Sequence, residues 1–343
     1  MGRYRARLGT AAVVATVLAG QAASAWAAGS YAELKPLPGG TSDRAFGTGH
    51  DGLVVGDSGF SGSGTNTHAA VWKRNGEVTD LGTLPGDTSS TAFSVNSSDA
   101  TVVGRSLGAT ERAVSWDRNH KMVELPGVKG TVKTRAYSVN DDRVSVGFSV
   151  TPDGNWHAMR WSADAKATEL PGLPGDVSTG ATWINNHGVS VGASSTAEGR
   201  NRAVRWEAGG KAKELPALPG HRDTAATSIN DSGVVVGGSG VSAGAPTKAV
   251  MWLRDGTVRE LPALPGDTAG YALAINGKGT VVGYSVTSKG THRPVLWTKD
   301  GTVVALKMAA PGAGDPYAVG ADDTAIGVAT PDGGSPKAAL WRH

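Results

Sequence analysis

The sequence predicts an all-β protein, a seven-bladed β-propeller of four-stranded antiparallel blades, and three observations predict it. A Trp recurs seven times at nearly one phase, the repeating unit divides into four short apolar pieces, and the two ends of the chain complement each other. The recurring residues are Trp72, Trp116, Trp161, Trp206, Trp252, Trp297 and Trp341, at steps of 44, 45, 45, 46, 45 and 44 residues. A period in this range marks a solenoid, a propeller or an array.

The four pieces, A to D, are justified in order. Piece A, of "TSIN" or "LAIN" type, ends at Asn96, Asn140, Asn185, Asn230 and Asn276, with Gly49 and Gly320 in that column of units one and seven. A column restricted to Asn and Gly predicts positive φ in a tight A–B turn. Piece B, of "VVVG" type, ends at Gly56, Gly104, Gly147, Gly192, Gly237, Gly283 and Gly327, so a neighbouring backbone or a bulge is expected where a side chain would sit. Piece C ends at the repeating Trp. Piece D ends at Leu81, Leu125, Leu170, Leu215, Leu261 and Leu306.

Between C and D stand Asn75-Gly76, Asn119-His120, Asp164-Ala165, Gly209-Gly210, Asp255-Gly256 and Asp300-Gly301, which predict two-residue type I′ hairpins. That register places Arg160 opposite Glu169 and Arg205 opposite Glu214. The "LPGD" segments after piece D carry the chain to the next unit, Pro fixing φ and Gly relaxing it. The last unit stops after its C piece at His343, while "SYAELKPLPGG" near the start supplies an unpaired D piece. A ring closed by the N-terminal strand follows, because closure removes exposed strand edges.

Residues 1–27 read as a secretory signal peptide: Arg3, Arg5 and Arg7, an apolar run from Leu8 to about Ala19, then Ala25 and Ala27 or Ala23 and Ala25 before a cleavage site. The run is short for a membrane span. Residues 28–343 form the expected single propeller domain. Removing the leader lowers Lys+Arg from 33 to 30 against 30 Asp+Glu, so the mature chain is formally neutral and nucleic acid is not an expected partner. The chain has no Cys, which excludes disulfides, thiolate metal sites and cysteine catalysis. A secreted monomer without membrane insertion is the expectation.

The units resemble the HAF repeat, named for a His-Ala-Phe piece, of predicted extracellular bacterial proteins. The resemblance rests on "LPGDTSSTAFSVN" (84–96), "ALAINGKGTVVGYS" (272–285), "HAAVW" (68–72) and "HAMRW" (157–161). It covers the chain from about Ser30 to the end. His at the first position of the short motif stands only in units one and three, and Phe at the third in none. The resemblance implies an extracellular repeat protein and brings no catalytic residues.

Four residues before each repeating Trp stands a basic or potentially basic side chain: His68, Arg112, His157, Arg202, Lys248, Arg293 and Lys337. In a propeller these form a ring near the B–C and D–A loops, suited to collecting acidic ligands. An acidic column, Glu33, Asp80, Glu124, Glu169, Glu214 and Glu260, is available to pair with it. The predicted register puts the two columns on opposite strand faces, so pairing is expected between blades. The B–C loops vary most between units, and Trp156 is their one large aromatic, a stacking surface for a sugar or a residue packed across the rim.

No nucleophile elbow, phosphate loop or His pair with metal-ligand spacing occurs, so no cofactor or metal is implied. Asp141-Asp142 and Asp322-Asp323 supply only two carboxylates each, few for calcium. These readings favour a secreted, non-enzymatic binding scaffold for a polysaccharide or a protein partner. The alternative is an extracellular lyase or hydrolase whose site is assembled from several blades.

Overall fold

The computed structural model describes residues 30–49, 51–60, 66–242 and 244–342. The expected leader at 1–27 lies outside the described residues. Strands numbered β1 to β28 in chain order form seven four-stranded antiparallel sheets. Blade one runs β2 (Ser42–Thr48), β3 (Val54–Gly59), β4 (Thr67–Trp72) and β5 (Val78–Asp80), the A to D order read from the sequence. Blade seven holds β26 (Gly312–Val319), β27 (Ala325–Pro331) and β28 (Lys337–Trp341). Its fourth strand is β1 (Tyr31–Glu33), in register Tyr31↔Trp341, Ala32↔Leu340 and Glu33↔Ala339. The ring therefore closes by strand exchange.

Each A strand packs against the A strands on both sides of it, from β2 round to β26 and back to β2. These strands are the innermost layer, so their half-buried side chains line the axis.

The core lies between blades, and the repeating Trp fastens it. All seven rings are at most 1% exposed. Trp116 packs with Val71 and Leu81 of the preceding blade, and Trp206 with Val146 and Leu170. Six of the indoles also donate their N–H back to the preceding blade, as Trp116 does to the Leu81 carbonyl at 2.9 Å and Trp206 to that of Pro171 at 2.7 Å. The hydrogen bond satisfies the polar edge of a ring whose body is buried.

The glycine column of strand B is explained by close approach. Every A strand carries a bulge opposite it. A Cβ on Gly192 would lie 2.0 Å from the Gly180 carbonyl oxygen, and one on Gly56 1.8 Å from that of Arg44.

The Asn column does not have positive φ. That conformation falls three or four residues later, at Gly52, Ala100, Arg143, Gly188, Gly233, Gly279 and Asp323. The Asn side chains are selected by hydrogen bonding instead. Oδ1 accepts a turn amide, as Asn140 does from Val144 at 2.9 Å and Asn185 from Val189 at 2.9 Å. Nδ2 donates to the same column of the next blade: Asn96 to Asn140, Asn140 to Asn185, Asn185 to Asn230, Asn230 to Asn276 and Asn276 to Gly320, at 2.9–3.3 Å. This belt runs from blade two to blade seven. Gly49 and Gly320 have no side chain to continue it.

The C–D hairpins also differ from expectation. Only the second residue of each pair has positive φ. Lys73 accepts from Gly76 N–H at 2.9 Å and donates to the Glu77 carbonyl at 2.8 Å, so the loop holds three residues, a turn followed by a left-handed residue. The extra residue shifts the register by one. Arg160 lies opposite Thr168 and Arg205 opposite Lys213, while Glu169 faces Met159 and Glu214 faces Val204. The acidic column thereby moves to the same sheet face as the basic one.

The seam between blades seven and one has its own chemistry. At four of the other junctions a hydroxyl on strand A accepts the amide of an Ala on the preceding strand C: Ser90 from Ala69, Thr134 from Ala113, Thr179 from Ala158 and Thr224 from Ala203, at 2.7–2.8 Å. At the seam Asp43 occupies that position against Ala338. It is buried, and the Ala338 amide approaches its carboxylate without completing a well-formed hydrogen bond. Burial raises its pKa from 3.8 to about 7, a cost that the Ala338 amide and the Lys337 charge only partly offset.

Candidate functional site

The basic column sits at the start of the C strands, on the B–C/D–A end of the ring, and the corrected register decides its contacts. Five members pair within their own blade with the acidic column: His68–Asp80 at 2.7 Å, Arg112–Glu124 at 3.2 Å, His157–Glu169 at 2.8 Å, Arg202–Glu214 at 3.3 Å and Lys248–Glu260 at 3.2 Å. The expected pairing between blades is replaced by pairing across C and D. Arg293, whose D-strand position holds Ala305, pairs with Asp267 at 3.2 Å, and Arg112 makes a second ion pair with Asp87 at 2.9 Å. Lys337 lies near the buried Asp43. One carboxylate of each A–B turn pair is engaged across blades, Asp141 by the Ser97 amide at 2.7 Å and Asp323 by Lys278 at 2.9 Å.

Trp156 opens strand C of blade three. It is 42% exposed and stacks on the fully buried Phe148, with ring centroids 4.1 Å apart and planes at 24°. It is thus both packed and available. Trp183, on the inner strand of blade four, is half-buried against the core.

Phe148 leads inward to a cluster that the sequence reading did not find. The bulged residue of each A strand faces the axis: Phe46, Phe93, Tyr137, Thr182, Thr227, Leu273 and Tyr317. Four of these form a continuous aromatic arc, Tyr317–Phe46–Phe93–Tyr137, with successive centroids 5.4 Å apart. Bulges re-aim side chains, and here the extra residue is turned to the axis.

Above the arc, toward the B–C/D–A end, stand charges. Arg44 grips the buried Asp57 with both nitrogens at 2.9 and 2.6 Å, and the Thr91 hydroxyl donates to the same carboxylate at 3.0 Å. Glu111, at the start of a C strand and nearly buried, receives three cations: Arg135 through Nε, Lys133 at 3.1 Å and Arg105 at 3.5 Å. Burial opposes its charge, but Arg135 and its neighbours hold the carboxyl below its ordinary pKa. Arg105 is held below its own ordinary value by burial and by the charge of Arg135. The Arg135 guanidinium lies 5.5 Å from the ring centroids of Phe93, Tyr137 and Phe148 and donates to the Tyr137 hydroxyl at 3.0 Å.

The other side of the mouth is bare. Where blades one to three carry Arg44, Asp57, Arg105, Arg135 and Phe148, blades four and five carry Gly180, Ala193, Ala225 and Gly238. A cavity of about 140 Å³ opens there, lined by Asn201, Asp223, Ala225, Gly238 and Tyr271 among others. Between blades six and seven a groove of about 480 Å³ is lined by Thr291, His292, Ala313 and Thr330 among others. His292 contacts Asp315 through Nδ1 at 2.8 Å and stacks on Tyr284, and the Tyr317 hydroxyl donates to Asp315 at 3.4 Å. Burial and Asp315 push the Tyr317 phenol up to about 12. Among the described residues no group of three or more His, Asp or Glu is placed to hold a metal ion.

The signal for this cluster was present but lay outside the repeating columns. Strand B after its Gly reads Asp57, Arg105, Phe148, Ala193, Gly238, Tyr284 and Val328. The first residue of strand C reads Thr67, Glu111, Trp156, Asn201, Thr247 and His292 over blades one to six. Both columns change chemistry at every unit.

Fold and mouth together define a seven-bladed β-propeller whose non-repeating side chains gather at one end of its axis. Among solved structures it is similar to an oligogalacturonate lyase from Vibrio parahaemolyticus, at 13% identity over 91% of this chain and 93% of that one, with a TM-score of 0.61. It is similar to a streptogramin B lyase at 14% identity over 91% and 97% of the two chains, TM-score 0.54. A puromycin hydrolase matches at 12% identity over 89% of this chain and 53% of that one, TM-score 0.58. At such identities the likeness is one of fold. No family model matches the chain, and no curated protein does.

Proposed function

We propose that the chain is an exported, non-enzymatic binding propeller that takes a carbohydrate at the axial mouth of its B–C/D–A end. The observation that carries this reading is Trp156, half-exposed on a buried aromatic base and beside Gly180 of blade four. An indole held flat against Phe148 costs little entropy to present and offers a sugar a broad apolar face. The leader at 1–27 and the resemblance to HAF repeats support placement outside the cell. In this reading the outer basic ring is scaffold, since most of its members already hold a carboxylate, and Trp156 is the expected site residue that meets the ligand.

The test is a binding screen of the mature chain, from Ala28 onward, against neutral and acidic polysaccharides. Trp156→Ala should weaken the best ligand about tenfold without unfolding the protein. Binding of a protein and of no glycan would replace carbohydrate with a protein partner.

A second reading, a polysaccharide lyase or hydrolase, is favoured by the His292–Asp315 pair beside its groove. An imidazole oriented by a carboxylate through Nδ1 leaves Nε2 to move a proton. Release of new chain ends from a polysaccharide, abolished by His292→Ala, would establish it. Intact polymer after prolonged incubation would remove it.

A further inference from the structure

The charges at the mouth do not balance. Arg105, Lys133 and Arg135 converge on one carboxylate, Glu111, and among the described residues no second carboxylate pairs with any of the three. Asp57, whose charge also reaches Arg105, is already held by Arg44 and Thr91. Three cations on one anion leave an excess of two positive charges in a partly desolvated recess. There the guanidiniums are braced against Phe93, Tyr137 and Phe148, and Lys133 Nζ lies 5.7 Å from the Phe148 ring centroid. Such crowding of like charge is costly unless something answers it.

Phe148 ties this cationic recess to the stacking surface. Lys133 Nζ and the Arg135 guanidinium lie 5.7 and 5.5 Å from its ring centroid, and the Trp156 ring stacks 4.1 Å from the same centroid. A ligand unit seated on Trp156 therefore lies beside the same Phe148 ring that the two cations approach. Gly180 of blade four abuts one edge of the indole, where an added Cβ would be 3.9 Å from Cε3, so the ligand seats on the part of the ring left exposed.

We infer that the mouth binds a carboxylate-bearing sugar, a uronic acid unit of an acidic polysaccharide, with its apolar face on Trp156 and its carboxylate between Arg105 and Lys133. The inference rests on the carbohydrate reading above and specifies the ligand class. A planar carboxylate matches the fork of an arginine, and the ammonium adds a point charge beside it. Burial first, and the charge of Arg135 second, hold Arg105 below its ordinary pKa, so an anion placed beside it would be favoured. Neutral sugars would gain the stacking alone.

The experiment compares two polyuronates, alginate and polygalacturonate, each with its carboxyl-reduced counterpart, by titration calorimetry on the mature chain at low and high salt. At least one polyuronate should bind about tenfold tighter than its reduced form, with the gap shrinking at high salt. Lys133→Gln, which leaves Arg105 and Arg135 to hold Glu111, should close most of the gap. Arg105→Gln should do the same, and Trp156→Ala should weaken both polymers alike. Thermal melts of each variant separate lost binding from lost fold. Equal binding of a polyuronate and its reduced form overturns the inference while sparing the carbohydrate reading, and so does a gap unchanged in Lys133→Gln. A sulfated neutral polymer that binds as tightly as either polyuronate overturns the carboxylate assignment. Absence of binding to every glycan, charged or neutral, removes both.

Discussion

Blades seven, one, two and three line the axis with Tyr317, Phe46, Phe93 and Tyr137, whereas blades four, five and six line it with Thr182, Thr227 and Leu273. Both arcs rest on the same scaffold. Each has the strand B glycine under a bulge and the buried Trp, and the Asn belt, with donors in blades two to six, reaches into both. In the crowded arc the aromatic rings fill the axis. In the bare arc Thr182 and Thr227 donate instead to neighbouring A-strand carbonyls at 3.0 and 2.9 Å. Repetition therefore marks what holds the ring, and departure from repetition marks what distinguishes this ring from another.

The comparison is broken most directly by changes to shared columns, which should cost the same in both arcs. Gly104→Ala and Gly192→Ala each drive a methyl to 2.0 Å from a backbone carbonyl and should destabilise by about 3 kcal/mol or more in chemical denaturation. Trp116→Ala and Trp206→Ala should each cost about 3–5 kcal/mol. A large difference between the arcs would mean that blades do not share stability as equals.

Changes to one non-repeating column should then separate the arcs. Glu111→Gln leaves three clustered cations without their counter-charge and should cost about 3 kcal/mol. Asn201→Gln, at the same position in blade four, should stay within about 0.5 kcal/mol. Trp156→Ala, in the same column, should change stability by less than about 1 kcal/mol.

The subtlest effect belongs to the seam. Asp43 keeps its proton to about pH 7 in the folded protein, whereas an ordinary Asp loses it near 3.8. Between those values the folded state holds a proton that the unfolded chain has released. Its contribution therefore makes stability fall as pH rises from about 4 to 7 and then level off. Asp43→Thr restores the hydroxyl used at other junctions and should raise the melting temperature at pH 8 more than at pH 5. Equal shifts at the two pH values would mean that Asp43 is ionised throughout.

The propeller, its blade count and its closure were legible because each is a matter of period and of chain ends. The glycine column was legible because the absence of a side chain has few causes. The Asn column misled, since Asn is favoured both where φ is positive and where an amide must bridge two backbones. The hairpins misled by one residue: Asn-Gly suits a two-residue loop and equally the last two positions of a three-residue loop, and a one-residue slip moves Glu169 from Arg160 to the face of His157. Trp156 was legible as a lone aromatic in a variable loop. Arg105, Glu111, Lys133 and Arg135 were not, because they meet only when blades two and three stand side by side, and no linear motif joins residues of different units.

Closure by β1 has a topological consequence. Three residue pairs join positions about 310 residues apart, and bringing such distant segments together costs on the order of 5 kcal/mol of chain entropy before any contact forms. The contacts of this one strand therefore have the highest sequence separation in the molecule and should form last. Until they do, β28 presents an open edge. The ring is a long, locally ordered ribbon up to that moment and a single cooperative body after it, so that Tyr31 to Lys35 decide which of the two the rest of the chain becomes.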